Sequence, residues 1–197
     1  MKRLLLFITV VIIALAGSAQ TLPAGFFSSE VSAGSTWSRP VNACFTKDGT
    51  KLFISEQSGK VFLCTREPGG NYKKQAQPVI DISDEVGGWR DFGLLGFALD
   101  PAFESNGRVY LLYVVDRHHL MTGGLSSNGY NTGTDTYYSA TIGRVTRYTV
   151  ETTGNVMQAV AGSRKILLGE SKSTGIPILH ESHGTGGLVF AADGTLL

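Results

Sequence analysis

Two histidines near the end of the sequence are the side chains best suited to acid–base chemistry. His183 opens a glycine-rich run that ends at Gly187, and His180 stands three residues before it. A neutral imidazole has a pKa near about 6.5, so it can accept a proton at neutral pH. If the chain is extended here, the two rings point to opposite faces. With Glu181 between them, the pair offers too few ligands for a typical metal site. A plain structural role, in which a loop histidine bonds the backbone, stays open for both.

A second candidate is the charged pair Arg90 and Asp91, which precedes the apolar segment beginning at Gly93. These side chains can pair with each other, or they can face a central opening of the fold. The sequence alone leaves both alternatives open.

These residues must be positioned by a fold built mainly of strands. The chain has 25 glycines in 197 residues, nearly double the usual ~7%. Short aromatic and β-branched runs lie between glycine-rich turns, and we find no sustained helical period in the sequence. The sequence therefore predicts an all-β fold.

One hairpin pattern occurs three times, at unequal spacing. In each copy a strand ends, the chain turns at Asp or Asn followed by Gly, and a second strand begins; the turns end at Gly49, Gly107 and Gly194. Gly and Asn tolerate the positive φ of a tight turn. Such repeats are typical of the blades of a β-propeller, here separated by insertions. A β-sandwich with similar hairpins is the alternative.

The two cysteines lie on predicted strands that are not neighbours. Residues 41–46, 51–55 and 60–65 read as three consecutive antiparallel strands, with Cys44 on the first and Cys64 on the third. The first and third strands of a meander lie about 9.5 Å apart, whereas a disulfide needs Cα atoms within about 7 Å. We therefore predict two buried free thiols.

The longest predicted insertion covers residues 116–140 and is rich in Gly, Ser, Thr and Asn. This composition is typical of a loop. His118 and His119 begin it, and we expect both to lie on the surface.

The first 19 residues have the features of a secretory signal peptide. Lys2 and Arg3 precede an apolar run from Leu4 to Ala16, and small residues lead to a predicted cleavage site before Gln20. A membrane anchor is the alternative, but a 13-residue helix spans only about 20 Å of a bilayer core of roughly 30 Å. The sequence therefore predicts a secreted or periplasmic protein with no membrane attachment after cleavage.

The charge balance gives no indication of a polyanionic partner. Without the predicted signal peptide the chain carries 15 basic and 16 acidic residues, because only Lys2 and Arg3 are removed. We see no basic cluster able to neutralise phosphates, so we expect neither a nucleic-acid partner nor an anionic membrane surface.

The end of the sequence falls inside a predicted strand. Residues 194–197 start a strand with no polar cap after it, and such an edge is normally protected. We therefore expect residues 20–197 to be the N-terminal part of a propeller domain, truncated after about two blades and the start of a third.

Three stretches resemble the pyrroloquinoline-quinone-dependent sugar dehydrogenases, the glucose/sorbosone dehydrogenase family. They are residues 40–61, residues 93–110 with the motif GLLGFALDPAF, and residues 183–194 with the motif HGTGGLVFAADG. The resemblance implies a six-bladed propeller that oxidises an aldose or polyol by passing a hydride to bound quinone, while calcium polarises the quinone.

The resemblance also assigns site residues. His183 matches the base that takes the proton from the sugar hydroxyl, which makes it the candidate catalytic residue. Asp91 stands where glucose-oxidising members carry a Gln that contacts substrate, and Ser182 replaces a carboxylate that orients the base. These departures put glucose specificity in doubt. Calcium ligands and most quinone contacts are expected beyond residue 197, and we assign no metal ligand within the chain.

Two other classes of function remain in view. The chain is similar to hedgehog-interacting-protein ectodomains, which use this domain without a clear enzymatic role and would imply a binding module. A metal-dependent lactonase needs acidic ligands converging on the propeller axis, for which Asp91 and Glu56 are loosely placed. The enzyme reading also implies a sugar or polyol substrate and a soluble electron acceptor.

Overall fold

A computed structural model describes residues 22–134, 136, 139–154 and 156–197. The predicted signal peptide, residues 1–19, lies outside these ranges. The chain divides into a short N-terminal unit that ends at Glu30 and a main unit, Val31–Leu197. In the described part of the short unit, residues 22–30, we find turns and coil without a strand or helix.

The main unit contains two antiparallel sheets. The first consists of β1 (Pro40–Phe45), β2 (Lys51–Glu56), β3 (Lys60–Arg66), β4 (Tyr72–Lys74) and β5 (Ile80–Asp81). They run in the order β1-β2-β3-β4, and β5 also pairs with β3. The three predicted strands around the cysteines are therefore confirmed, to within one residue at each end.

The second sheet is built around one long strand. It consists of β6 (Leu94–Leu99), β7 (Arg108–Val114), β8 (Thr141–Thr153), β9 (Val156–Ala159), β10 (Lys165–Leu168) and β11 (Ile176–Ile178). The order is β10-β8-β7-β6, with β9 and β11 also paired to β8. A further bridge joins Phe190 to Leu196, at the third predicted hairpin.

The main hydrophobic core draws residues from both sheets. Phe53 and Val61 of the first sheet and Leu111 and Tyr113 of the second are fully buried in one cluster. Burying side chains of this size stabilises a fold by about 1.5–3 kcal/mol each. The core therefore fixes the two sheets to each other and, with them, the loops at their ends.

The predicted hairpin glycines adopt the conformation that their turns require. Gly49, Gly107 and Gly194 all have positive φ, at 64°, 60° and 84°. Gly107 also ends the short helix α1 (Phe103–Asn106), and a Cβ atom there would lie 2.3 Å from the Val150 carbonyl oxygen. Position 107 therefore requires glycine for two independent reasons.

The prediction of a structureless loop at residues 116–140 is wrong in part. Residues Arg117–Thr122 form helix α2, and the Asp116 carboxylate caps it by accepting a hydrogen bond from the His119 amide at 3.1 Å. A 3₁₀ turn follows at Ser126–Asn128. Asp116 and Gly123 are ordinary start and stop signals, but a helix of six residues is too short to show a period.

His118 and His119 are half-buried rather than freely exposed. The His118 ring stacks on Tyr130, with centroids 5.4 Å apart, and its Nε2 accepts the Asn131 amide at 3.1 Å. Burial lowers the pKa of His119. Both residues therefore lie partly at the surface, as expected, but their rings pack against Tyr130.

The described helices are α1 and α2 with the 3₁₀ turn, and none is long and apolar enough to cross a bilayer.

Both cysteines are free, as predicted, and β2 separates their strands. Cys64 is fully buried, but Cys44 is only half-buried, because one face of β1 is partly open. Burial raises the pKa of the Cys64 thiol to about 11 and also raises that of Cys44.

This burial predicts a slow thiol reaction in the native protein. At pH 8 a thiol of pKa 11 is ionised to about one part in a thousand, so Cys64 should react with a thiol reagent roughly 100-fold or more slowly than in urea-unfolded protein. The Cys44→Ser variant isolates Cys64 for the measurement. Equal rates for Cys64 in native and unfolded protein would contradict the burial.

Candidate functional site

Asp91 lies in a tight turn that leads into β6. The Phe92 amide donates to the Trp89 carbonyl at 3.0 Å, and Arg90 has a φ of 49°. A non-glycine residue in this region is strained and is found preferentially at functional sites. The turn leaves the Asp91 side chain exposed and available to a ligand.

Gln57, in the turn between β2 and β3, holds the Asp91 turn from the first sheet. Its side-chain Nε2 donates to the Arg90 and Phe92 carbonyl oxygens, both at 2.6 Å. No local pattern in the sequence marks this residue. A glutamine in a turn is an ordinary surface choice, and its partners lie more than 30 residues away.

His183 follows a turn, and not the extended strand that the sequence suggested. The His183 amide lies 3.4 Å from the His180 carbonyl oxygen, so the two rings are not related by strand alternation. The His183 side chain is exposed. The prediction that His180 and His183 point to opposite faces of a strand is therefore wrong.

His180 is held within its own turn. Its Nδ1 lies 2.7 Å from the Ser182 hydroxyl oxygen, and its Nε2 lies 3.5 Å from a Glu181 carboxylate oxygen. Ser182, which replaces the carboxylate expected to orient the base, thus contacts His180. These contacts, and not strand alternation, distinguish His180 from His183.

The structure brings the segments of Asp91 and His183 together. A Cβ atom built on Gly184 would lie 2.3 Å from the Asp91 carbonyl oxygen and 2.5 Å from the Leu95 side chain. The backbone after His183 therefore rests directly on the backbone of Asp91. Glycine at position 184 serves this contact, because any larger side chain would meet the Asp91 carbonyl oxygen.

The rest of the glycine-rich run lies across the second sheet. A Cβ atom at Gly143 in β8 would come within 2.2 Å of the Thr185 methyl group, and one at Gly96 in β6 within 3.0 Å of the Leu188 nitrogen. Two glycines of the sheet thus make room for the segment that carries His183.

The close contact at Gly184 predicts a selective effect of one methyl group. Gly184→Ala should push the His183 segment away from Asp91 and cost about 1–3 kcal/mol of stability, as overpacking does. Gly186→Ala is the matched control, because a Cβ atom there would meet nothing within 4 Å. Urea unfolding of both variants checks this, and equal midpoints would contradict the packing described.

The fit of the expected cofactors differs between calcium and quinone. Among the described residues, no three Asp, Glu, His or Cys side chains cluster as metal ligands, so these residues do not fit calcium. For quinone the residues present do fit, because the backbone at Gly186 and Gly187 is open, with nothing within 4 Å of an added Cβ atom. A planar group can approach such a backbone closely, and Gly186 follows His183 by three residues.

A family model described as glucose/sorbosone dehydrogenase matches residues 37–197. The mouse hedgehog-interacting protein is 29% identical over 163 residues, which cover 80% of this chain and 20% of the mouse protein. The HIPL2 protein of Arabidopsis thaliana is 30% identical over 100 residues, which cover 48% of this chain and 14% of that protein. The chain thus spans about a fifth or less of the length of these two relatives.

Solved structures confirm the predicted architecture. A glucose dehydrogenase-like oxidoreductase from Thermus thermophilus matches with a TM-score of 0.53 at 23% identity, over 85% of this chain and 38% of that one. The quinone-bound aldose sugar dehydrogenase of Streptomyces coelicolor matches with a TM-score of 0.54 at 17% identity, over 84% and 38%. The fold is therefore a partial β-propeller, and the β-sandwich alternative is discarded.

Proposed function

The chain belongs to the glucose/sorbosone dehydrogenase family, and on that premise we propose that it forms part of an exported quinoprotein that oxidises an aldose or polyol. The observation that carries the proposal is the close contact between Gly184 and the Asp91 carbonyl. A Cβ atom added at Gly184 would lie 2.3 Å from that oxygen. This backbone contact between the segments of His183 and Asp91 supports a single site formed by two separate parts of the sequence.

His183 acts as the general base in this proposal. Its exposed imidazole accepts the proton of the sugar hydroxyl that is oxidised, and a positioned base of this kind contributes about 10²- to 10⁴-fold to the rate. Bound pyrroloquinoline quinone supplies the hydride acceptor.

Asp91 binds the substrate. Its exposed carboxylate can accept hydrogen bonds from sugar hydroxyls, and Asp91 directly follows the strained residue Arg90. A carboxylate accepts but does not donate, whereas the amide found there in glucose-oxidising members does both. We therefore propose an aldose or polyol whose hydroxyl groups donate at this position.

The remaining parts of the proposal lie outside the described residues. Calcium ligands and the quinone's charged contacts would be provided by further parts of a complete propeller. A signal peptide at residues 1–19 would direct the protein to the periplasm or outside the cell, where a soluble acceptor would reoxidise the quinone.

The alternative is a binding module without catalysis. The similarity to the mouse hedgehog-interacting protein over 80% of this chain favours it. The two proposals differ in whether the complete protein retains quinone and turns over.

The test is dye reduction with added quinone, calcium and a panel of aldoses and polyols. A complete propeller carrying this chain is expected to reduce the dye with at least one of the sugars. The 197-residue chain alone is expected to be inactive, because its His183 and Asp91 side chains are exposed, whereas a bound cofactor is normally largely buried. Quinone binding without turnover, or no binding by the complete protein, would support the alternative.

A further inference from the structure

We propose that Gln57 is a positioning residue for this site: from the first sheet it fixes the Asp91 turn and, through that turn, the segment of His183 in the second. The inference rests on the proposed function in that it names a residue on which the geometry of that site depends.

Gln57 forms hydrogen bonds to the residues on both sides of Asp91. Its Nε2 donates to the carbonyl oxygens of Arg90 and Phe92, each at 2.6 Å, and so uses both amide hydrogens. Its backbone oxygen also accepts the Leu94 amide at 3.0 Å. The residue is 8% exposed, so water does not compete readily for these bonds.

The surrounding backbone is shaped around this side chain. Gly93 has a φ of 141°, and a Cβ atom there would lie 2.4 Å from the Gln57 Cγ. Arg90 is held at positive φ with its carbonyl turned toward Gln57. A strained backbone persists only where its surroundings hold it, and the Gln57 amide is one of the groups that hold it here.

The Asp91 turn also supports the segment that carries His183. The Asp91 carbonyl lies against Gly184, and so does the Leu95 side chain. The Leu95 carbonyl is itself held by the first sheet, because Asn42 Nδ2 donates to it at 2.8 Å. The first sheet therefore restrains the segment that carries His183 through the Asp91 carbonyl and the Leu95 side chain, which both contact Gly184.

Glutamine is the side chain that suits this task. It reaches two carbonyl oxygens with two donors, whereas a glutamate of the same size presents only acceptors to them. Gln57→Leu removes the donors and keeps the apolar stem, and Gln57→Glu replaces the donors by a negative charge.

Hydrogen exchange of the chain itself tests the proposal without any enzyme activity. In Gln57→Leu, peptides covering residues 88–95 should exchange about tenfold to hundredfold faster than in the parent, because two buried hydrogen bonds are lost. Peptides covering residues 180–188 should also exchange faster, because the turn on which they rest loosens. Gln75→Leu is the matched control. Gln75 also donates twice, to the Gln77 and Met157 carbonyl oxygens, but its partners lie outside the site.

The outcomes separate a positioning role from a general structural one. Faster exchange at residues 180–188 in Gln57→Leu but not in Gln75→Leu supports the proposal. Unchanged exchange at residues 180–188, or an equal rise in both variants, overturns it. If Gln57→Leu does not fold, Gln57→Glu takes its place; loss of folding in both, with Gln75→Leu folded, overturns the proposal as well.

Turnover of a complete propeller provides the second readout. Gln57→Leu should lower kcat by about 10- to 100-fold, as small misplacements of reacting groups do, while Gln75→Leu stays within a few-fold of the parent. Accelerated exchange with an inactive parent protein would contradict the proposed function and leave the positioning role standing. An active parent with unchanged kcat in Gln57→Leu would contradict the positioning role alone.

Discussion

Replacing His183 with glutamine in a complete propeller is expected to lower kcat for the best sugar by about 10²- to 10⁴-fold. Glutamine keeps a similar size and a hydrogen-bonding end, but it cannot accept the proton. The loss should appear in kcat, with quinone affinity largely retained, because a base acts on the transition state and not on cofactor binding. Steady-state turnover and quinone titration of the same preparation measure the two quantities.

His180→Gln is the control for this prediction. His180 bonds Ser182 at 2.7 Å and faces Glu181, so its replacement should change turnover by a few-fold at most. Near-parental turnover in His183→Gln would show that the base is assigned wrongly. Loss of turnover in His180→Gln alone would transfer the role to that residue.

Replacing Glu85 with alanine is expected to lower the free energy of unfolding by about 3–5 kcal/mol. Its carboxylate is 6% exposed and forms ion pairs with Arg144 and with Arg164, the latter at 2.6 Å. The Tyr113 hydroxyl donates to the same carboxylate at 2.6 Å. Without Glu85 the buried guanidinium of Arg144 loses its counter-ion and cannot reach water.

Two variants show whether the loss comes from the buried charge. Tyr113→Phe removes one hydrogen bond to a charged group and should cost about 1.5–3 kcal/mol. Lys60→Ala breaks the surface pair with Asp81, whose side chains are 38% and 42% exposed, and should cost about 1 kcal/mol or less. Urea unfolding at neutral pH ranks the three; a Glu85→Ala cost no larger than that of Lys60→Ala would refute the buried network.

The cluster of Glu85, Arg144, Arg164 and Tyr113 connects the second sheet to the segment before Asp91. Arg144 also donates to the Gly169 carbonyl at 2.6 Å, and Glu85 lies six residues before Asp91. Burial and the neighbouring carboxylate raise the pKa of Tyr113, so its hydroxyl stays a donor throughout the working pH range. The network therefore stabilises the part of the second sheet and the segment before Asp91 that support the candidate site.

Local chemistry is what the sequence predicted well. The strands around Cys44 and Cys64 were found because alternation and turn residues act over a few positions. The hairpin glycines were found for the same reason, since positive φ is a property of the residue itself. Helix α2 was missed because six residues are too few to show a helical period.

The candidate site shows where local reasoning fails. The sequence pointed to His183 and Asp91 by residue type and resemblance, and their roles stay proposals. It placed His180 and His183 on a strand, where the structure has a turn. A glycine-rich segment has no preferred period of its own, so the surface on which it packs decides its path.

The sequence by itself determined the strand class, the tight turns, the unpaired cysteines and the residues able to do chemistry. The tertiary structure alone decided that Gly184 rests on the Asp91 carbonyl, that Gln57 holds the Asp91 turn, and that Glu85 meets Arg144. Glu85 and Arg144 are 59 residues apart, and Gln57 and Arg90 are 33 apart. Such pairs form only when burial of the core between the two sheets offsets the entropy of closing the chain between them, and no local pattern records which partner each residue then meets.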